Sequence, residues 1–469
     1  MIDDEMLNKI TSIAAKHRLF LVFFAYCIFC WVWLLEIDLG KLASSSFAGK
    51  LMQILTVLAL TGLSAVIYTK STKFLFAHLD KTGRWLVPIK LVMWWAATEF
   101  FVAWAVSIIW YGTGARVDNI LPFTSLSHFG IWTPLGYIAR FVGIYGLSGV
   151  LFMLLVLSIK KDLRKLFISS VTIVFAMTVV AWAAYRAPNG PKVPVIIASE
   201  MNAHDVFSNP SQLKEGSLVV LPEYGFNDID DEKISTLLNT QKTDQKVHFI
   251  GSRFVYDGDR VKNQLVAGDS QNGYAYKIDK SRLIPMGEYL PYVTVGLFKL
   301  IGAQHTLDYF KNTRQIVKAD GAPQEMLLQL GEAQVGAGVC SSIIAPEDYR
   351  ELTKHGANIL TNSAYLGIFN GSKLYGWHQR SMAKLMATAN ARTFVQSASS
   401  GPSFGYDQNG KLLFNEEGMR IKEVSAQLHS RRTPYTFLGE YLSFVGLVWM
   451  IMSCIKSKKK TSHKVRVRL

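Results

Sequence analysis

Five apolar runs crowd the first 190 residues, at 19–35, 51–68, 91–111, 141–159 and 166–185, and a sixth lies at 441–455. Runs of roughly 17 to 25 apolar residues suit helices that cross a bilayer, where only a structure that satisfies its own backbone polar groups survives. Half of the chain is apolar and its mean hydropathy is positive, which argues against a wholly soluble protein. Between the fifth and sixth runs lie about 250 residues of mixed polarity, long enough for a folded domain with its own core.

Loop charges orient this arrangement. Lys70, Lys73, Lys81 and Arg84 follow the second run, and Lys160, Lys161, Arg164 and Lys165 follow the fourth. The tail carries Lys456, Lys458, Lys459, Lys460, Lys464, Arg466 and Arg468, whereas the opposite loops hold only Lys41, Lys50 and Arg116. By the positive-inside rule both termini are cytoplasmic and the large domain is outside. The net charge of +15 is then mainly an orientation signal, with a tail attractive to anionic headgroups, and no nucleic-acid partner is expected. Reading the first run as a cleaved signal peptide would leave an odd number of spans, so it is kept as an anchor. The expected organisation is a membrane bundle over 1–186, an extracytoplasmic domain over 187–434, a last span over 435–456 and a basic cytoplasmic tail over 457–469.

Glu99 and Arg140 fall inside the third and fourth runs. Ionisable groups at membrane depth are costly unless paired or facing a wet cavity, so they are either functional or a structural Glu–Arg pair. Gly136, Gly143, Gly146 and Gly149 predict close helix approach around the fourth span.

After Arg186 the texture changes. A linker, APNGPK, leads into an apolar run of strand type, VPVIIAS, and similar runs recur at 217–223, 246–254, 263–268, 326–340, 358–364 and 393–400. Helical patterns at 346–356 and 375–392 interleave with them, which predicts a layered α/β domain. Three strand ends carry chemical promise: VVLPEYGF with Glu223, YKIDKSRLIPMGEYLPY with Lys280 and Glu288, and GAGVCSS with Cys340. Cys27, Cys30 and Cys454 lie in or beside apolar runs, so Cys340 is the one thiol of the polar domain. A Gly-rich strand end passing into a helix would put Cys340 near a helix N-terminus, where the dipole lowers a thiol pKa.

Glu, Lys and Cys make a workable catalytic set. The carboxylate takes the thiol proton, the ammonium stabilises thiolate and oxyanion, and the sulfur attacks a carbonyl to form a thioester. Taken singly, each has a blander reading as a packing cysteine or a solvated strand-end charge. If the set is catalytic, replacing Cys340 or Lys280 by Ala abolishes turnover and leaves stability nearly intact. The ten His are scattered and no His/Cys cluster has ligand spacing, so neither metal nor cofactor is expected.

In this order the three stretches resemble the nitrilase superfamily, and LPEYGF, the Lys-to-PMGEYLP block and GVC, set between a multi-span bundle and a last span, are similar to the bacterial apolipoprotein N-acyltransferase family. The resemblance covers nearly the whole chain, including ATEFF and GIYGLSG in the third and fourth runs. It implies an αββα sandwich inserted into a helical membrane bundle of about six spans. It also implies Glu223 as general base, Lys280 as oxyanion or thiolate stabiliser, Cys340 as nucleophile and Glu288 as a supporting carboxylate. The implied reaction moves an acyl chain from a membrane phospholipid, through a thioester, to the α-amino group of the diacylglyceryl cysteine of a lipoprotein, at the bacterial inner membrane. Tyr365, His378 and Arg380 are weaker substrate-binding candidates. Where the family has C-Y-E and N-D-A-W-F-G, this chain reads Cys340-Ser341-Ser342 and Asn362-Ser363-Ala364-Tyr365-Leu366-Gly367. Those departures leave open a thiol acyltransferase or amidase with a different acceptor, or an inactive lipid-binding relative.

Overall fold

The computed structural model describes residues 4–466 apart from 38–45, 80–82, 113–121, 209–212, most of 228–245, 315–320 and positions 188, 258, 259 and 286. Lys41, Lys81 and Arg116 of the loop-charge argument, and the last three residues of the tail, lie outside the described residues. Helices α1 (Asp4–Trp31), continued by the 3₁₀ turn Val32–Glu36, α2 (Ser46–Leu79), α3 (Val87–Ile109), α4 (Ala139–Ile159) and α5 (Arg164–Tyr185) cover the five N-terminal apolar runs apart from the last two residues of the third, and each gives a segment long and apolar enough to cross a membrane. The chain is a multi-pass membrane protein.

Lys192–Ser199 (β1) opens the polar domain, whose described residues form two six-stranded mixed sheets. After β1 come the short helix α6 (Ala203–Phe207), then β2 (Leu218–Val220), β3 (His248–Asp257), β4 (Arg260–Asp269) and β5 (Gly273–Asp279). A helical pair, α7 (Tyr292–Leu300) and α8 (Gln304–Arg314), follows. The second half holds β6 (Leu327–Leu330), β7 (Ala333–Val339), α9 (Pro346–Lys354), β8 (Ile359–Tyr365), α10 (Lys373–Asn390), β9 (Thr393–Ser399), β10 (Ser403–Tyr406), β11 (Leu412–Glu416) and β12 (Arg420–Gln427). Strand order is β12-β1-β2-β3-β4-β5 in one sheet and β11-β10-β9-β8-β7-β6 in the other. Each sheet has a parallel core, β1-β2-β3 and β7-β8-β9, with antiparallel strands outside it. Such cores are buried on both faces: β1 accordingly reads as a nearly unbroken buried apolar run, and β8 is equally buried but carries Thr361, Asn362 and Ser363 at its centre. The inner faces meet where the Ser397 hydroxyl donates to the Ala198 carbonyl and the Glu200 N–H to the Ala398 carbonyl. The last strand, β12, returns to pair antiparallel with β1, stitching the C-terminal end of the domain to its start. The expected run over 326–340 is in fact a hairpin, broken between β6 and β7 at Gly331, whose φ of 58° needs glycine.

The chain then re-enters the bundle as α11 (Tyr441–Arg466), whose apolar part, Tyr441–Ser453, is shorter than the five N-terminal spans. Close approach of backbones explains the glycines. A Cβ on Gly149 of α4 would lie 2.3 Å from the Val92 carbonyl oxygen of α3, and one on Gly446 of α11 would lie 2.1 Å from the Met93 carbonyl oxygen. Helix α3 is thus gripped on two sides through small residues. Gly143 acts differently: its φ of 78° and ψ of −175° break α4, and the freed N–H groups of Ile144 and Tyr145 donate to the Glu440 carboxylate at 2.7 and 3.1 Å. Backbone groups released by a break at membrane depth must find such a partner.

Glu99 and Arg140 do not form the pair considered from sequence. Glu99 accepts from the Trp95 indole at 2.7 Å and the Leu126 N–H at 3.1 Å, which ties a connecting loop to the bundle. Arg140, fully buried, donates to the carbonyls of Thr388, Ala181 and Gln408 and to the Asn409 side chain. It therefore bolts α4 to α10 and to the β10–β11 turn, holding the sandwich at a set position over the bundle.

Candidate active site

The three expected strand ends converge. Glu223 follows β2 after Pro222, Lys280 follows β5 directly, and Cys340 follows β7. Lys280 is completely buried, its ammonium 3.1 Å from Glu223 Oε1 and 2.8 Å from Glu288 Oε1. Other donors complete both carboxylates. Asn263 Nδ2 reaches Glu223 Oε1 at 2.6 Å, the Tyr365 N–H reaches Glu223 Oε2 at 3.0 Å, and the Ile284 N–H reaches Glu288 Oε2 at 2.7 Å. Glu288 therefore holds both the lysine and the PMGE turn.

Cys340 sits at a sharp strand-to-turn corner with a φ of 45°, and Tyr224 beside Glu223 has a φ of 66°. Left-handed backbone at residues other than glycine is costly and persists where the surroundings over-determine it. Here the corner is closed by Ser342, whose hydroxyl accepts the Val339 N–H at 3.1 Å, and by Asn362, which donates to the Cys340 carbonyl at 3.3 Å. The Ser341 hydroxyl donates to the Arg282 carbonyl at 2.6 Å, and Arg282 makes a bidentate pair with Asp348 at 2.6 Å. The two serines that set this chain apart from the family pattern are thus both spent on holding the Cys340 turn and the lysine-bearing loop. Ser342→Ala should cost about 1–2 kcal/mol by leaving the buried Val339 N–H without an acceptor. Slower single-turnover acylation should accompany the lowered melting temperature, and unchanged values of both would remove Ser342 from this role.

The expected lowering of the thiol pKa does not hold. Only a single turn of 3₁₀ helix, Cys340–Ile344, follows the strand, too short to build a substantial dipole. Burial and then the Glu223 carboxylate push the Cys340 thiol well above its ordinary range, and Lys280 offsets only part of this. The thiol donates towards the Tyr365 carbonyl at 3.7 Å. Burial pulls the Lys280 ammonium down, but Glu223 and Glu288 outweigh it and hold the charge firmly. The resting site is a neutral thiol, a fixed ammonium and acceptors beside it, so the thiolate forms only as its proton leaves. Since the thiolate is the reactive species, iodoacetamide labelling of Cys340 should be slow at pH 7 and still climbing above pH 9. A labelling rate already level by pH 8, followed by peptide mass mapping, would contradict this.

The weaker candidates separate. Tyr365 joins the site through its backbone, as donor to Glu223 and acceptor for the thiol. His378 is buried at the bundle interface, its ring edge-on to Phe123 at 5.4 Å and to His128 at 4.9 Å. Arg380, half-buried, faces an open groove beside the site. Residues not singled out from sequence include Asn263, Arg282, Asp348 and Asn362. The one signal for Asn263 was an amide pair, Asn263–Gln264, entering an apolar strand, NQLVAG.

A mainly apolar cavity of about 90 Å³, open on one side, reaches Ser341, next to Cys340. Trp33, Leu34 and Met52 of the bundle form one wall and Ile284, Ser341 and Ile344 of the sandwich another.

No family model matches the chain. Among curated proteins it is 24% identical over 256 residues to an apolipoprotein N-acyltransferase of Rhizobium rhizogenes, covering 51% of this chain and 45% of that protein. Over 223 residues it is 24% identical to an apolipoprotein N-acyltransferase of a Nostoc species, covering 45% and 42%. At this distance the chain is similar to apolipoprotein N-acyltransferases over about half of its length. Each match spans less than half the length of the relative. Solved structures that it resembles include a mutant of the Nesterenkonia AN1 amidase from the nitrilase superfamily, 14% identical with a TM-score of 0.37, covering 51% of this chain and 92% of that one. Another is Saccharomyces cerevisiae Nit3 of the same superfamily, 14% identical with a TM-score of 0.38, covering 50% and 90%.

Proposed function

We propose that this protein transfers an acyl chain from a membrane phospholipid, through a thioester on Cys340, to the free α-amino group of a diacylglyceryl-cysteine lipoprotein. The observation that carries the reading is a buried Glu–Lys–Cys site beside an apolar cavity built jointly by bundle and sandwich. Such a cavity lets a two-tailed lipid present its ester without lifting its tail into water, a step that costs about 0.8 kcal/mol per CH₂. The bilayer is the bacterial inner membrane, with the sandwich on its extracytoplasmic side.

In the first half-reaction Sγ attacks the ester carbonyl carbon and Glu223 takes the thiol proton. Lys280, with the first N–H of the turn after Cys340, which has no partner within that turn, stabilises the oxyanion. The carbon–oxygen bond breaks, Glu223 returns the proton to the departing glyceryl oxygen, and a lysophospholipid leaves. In the second half the acceptor amine attacks the thioester carbon, the carbon–nitrogen bond forms, and the carbon–sulfur bond breaks. Glu223 carries the amine proton back to sulfur.

Incubating the membrane-purified protein with phospholipid alone should add one acyl mass to Cys340 by intact mass spectrometry. Folded protein without an adduct would refute the acyltransferase reading. An adduct that a diacylglyceryl-cysteine peptide cannot discharge would point to a different acceptor, the alternative that the Ser341–Ser342 and Tyr365–Leu366 departures raise.

A further inference from the structure

Beside the apolar cavity, and sharing Phe369 and Tyr375 with it, runs a wider and more polar groove open to solvent. The two rings stack at 3.6 Å and 15°, so a single aromatic partition separates the spaces. Tyr375 also lies close enough to Cys340 and Glu223 to interact with both electrostatically. An ester positioned at Cys340 would have one side toward the apolar cavity and the other toward the groove.

The groove's charge is specific. Lys373, Arg380 and Lys384 line it from one face of α10, at i, i+7 and i+11. Among the described residues none of these three has a carboxylate within ion-pair distance. Arg380 and Lys384 are half-buried. The two carboxylates in the same wall, Glu200 and Glu417, are exposed, and nearby Asp407 is taken up by the N–H groups of Asn409 and Lys411. Asp407 acts on Lys384 electrostatically without forming an ion pair, so among the described residues the two half-buried charges lack a paired anion, which is a poor use of charge unless one arrives.

The setting says which anion. Lys384 lies 4.4 Å from the Trp132 ring centre, and the Trp132 indole donates to the Ser381 hydroxyl at 2.9 Å. Trp132, itself 44% exposed, sits on the connection between α3 and α4 at the end of the bundle that carries the sandwich. Half-exposed tryptophan at a bundle end is the side chain of the headgroup layer. The cations are therefore held at headgroup depth, across one ring stack from the acyl cavity. In a glycerophospholipid, the acyl carbonyl and the phosphorus are a few bonds apart.

We propose that this groove binds the phosphodiester of the acyl-donor lipid, with Arg380 and Lys384 as its charged contacts and Lys373 at its outer end. The assignment rests on the acyltransferase reading and adds to it a headgroup subsite that makes phospholipid, rather than any long-chain ester, the donor. Arginine supplies a planar fork to the phosphate oxygens and lysine a point charge.

The test is single-turnover acylation of Cys340 in detergent–lipid mixed micelles, read by intact mass, with two donors bearing identical acyl chains: phosphatidylethanolamine and diacylglycerol. In the Arg380→Gln/Lys384→Gln double variant, the phosphatidylethanolamine fraction needed for half-maximal rate should rise about tenfold or more, as expected for loss of charge-assisted phosphate contacts. Acylation by diacylglycerol should stay within about twofold, and Arg380→Lys/Lys384→Arg should restore much of the phospholipid preference. Millimolar glycerophosphoethanolamine should compete in the wild-type protein and not in the Gln variant. Equal slowing with both donors, or no change with either, overturns the subsite while leaving the acyltransferase reading intact. Equal inhibition by inorganic phosphate would make it a general phosphate site and overturn its assignment to the donor. A defect confined to discharge by the acceptor peptide would give the groove to the acceptor instead. If no donor acylates wild-type Cys340, the acyltransferase reading fails and the subsite with it.

Discussion

Cys340→Ala is expected to form no acyl adduct with any phospholipid and to lose transfer by roughly 10³-fold or more, because no other group at the site can carry the covalent intermediate. Stability should change little: one small buried atom is removed, at a cost of about 1 kcal/mol, and the corner is held by Ser342 and Asn362 rather than by the thiol. Intact mass and a thermal melt on the same sample separate the two effects. An acyl adduct persisting in the Ala variant would place the nucleophile elsewhere, and a collapse of the melt would make Cys340 a packing residue.

Lys280→Ala should be equally inactive, but for this variant the sequence expectation of near-normal stability is revised. Lys280 has no exposure and is the shared cation of Glu223 and Glu288. Removing it leaves two buried carboxylates facing each other, and breaking a buried ion pair from one side costs about 3–5 kcal/mol. The deficit should depend on pH. Burial already raises the Glu288 carboxyl in the intact site, with Lys280 opposing the shift. Without the lysine the Glu288 carboxyl is raised further above its unfolded value, so the folded variant binds more protons than the unfolded chain. A group with a raised folded pKa contributes stability at low pH and loses it as pH climbs through that value. The gap between variant and wild type should therefore be small near pH 5 and widen toward pH 8, as followed by chemical denaturation in detergent. A gap that stays constant across this range would remove the buried-carboxylate explanation.

Much of the architecture was legible without coordinates. Apolar runs near 20 residues long leave little choice in a bilayer, since only helices satisfy their own backbone there, and the structure has a helix at each. Glu223 and Cys340 could be picked out because each stands where an apolar strand stops, a signal that survives in one dimension, whereas Lys280 follows the partly buried β5 and stood out through its block with the PMGE turn. Strands β5, β10, β11 and β12 were missed. Strands β5, β11 and β12 are only partly buried and β10 has four residues, so their apolar pattern is weak and tertiary pairing decides them.

What the sequence determined by itself was the division into membrane helices and a layered α/β domain, together with the order of its reactive residues, because both rest on local hydrophobic period and residue type. Only the tertiary structure decided how those residues are charged and what they touch. It gave Arg140 to the carbonyls of α10 and the β10–β11 turn instead of to Glu99, and made Ser341 and Ser342 supports for the nucleophile's turn. It also turned an expected activated thiol into a neutral one held beside Glu223. The physical reason is the same in each case: desolvation and hydrogen-bond partnership depend on which distant segments close over a group, and no spacing along the chain records that.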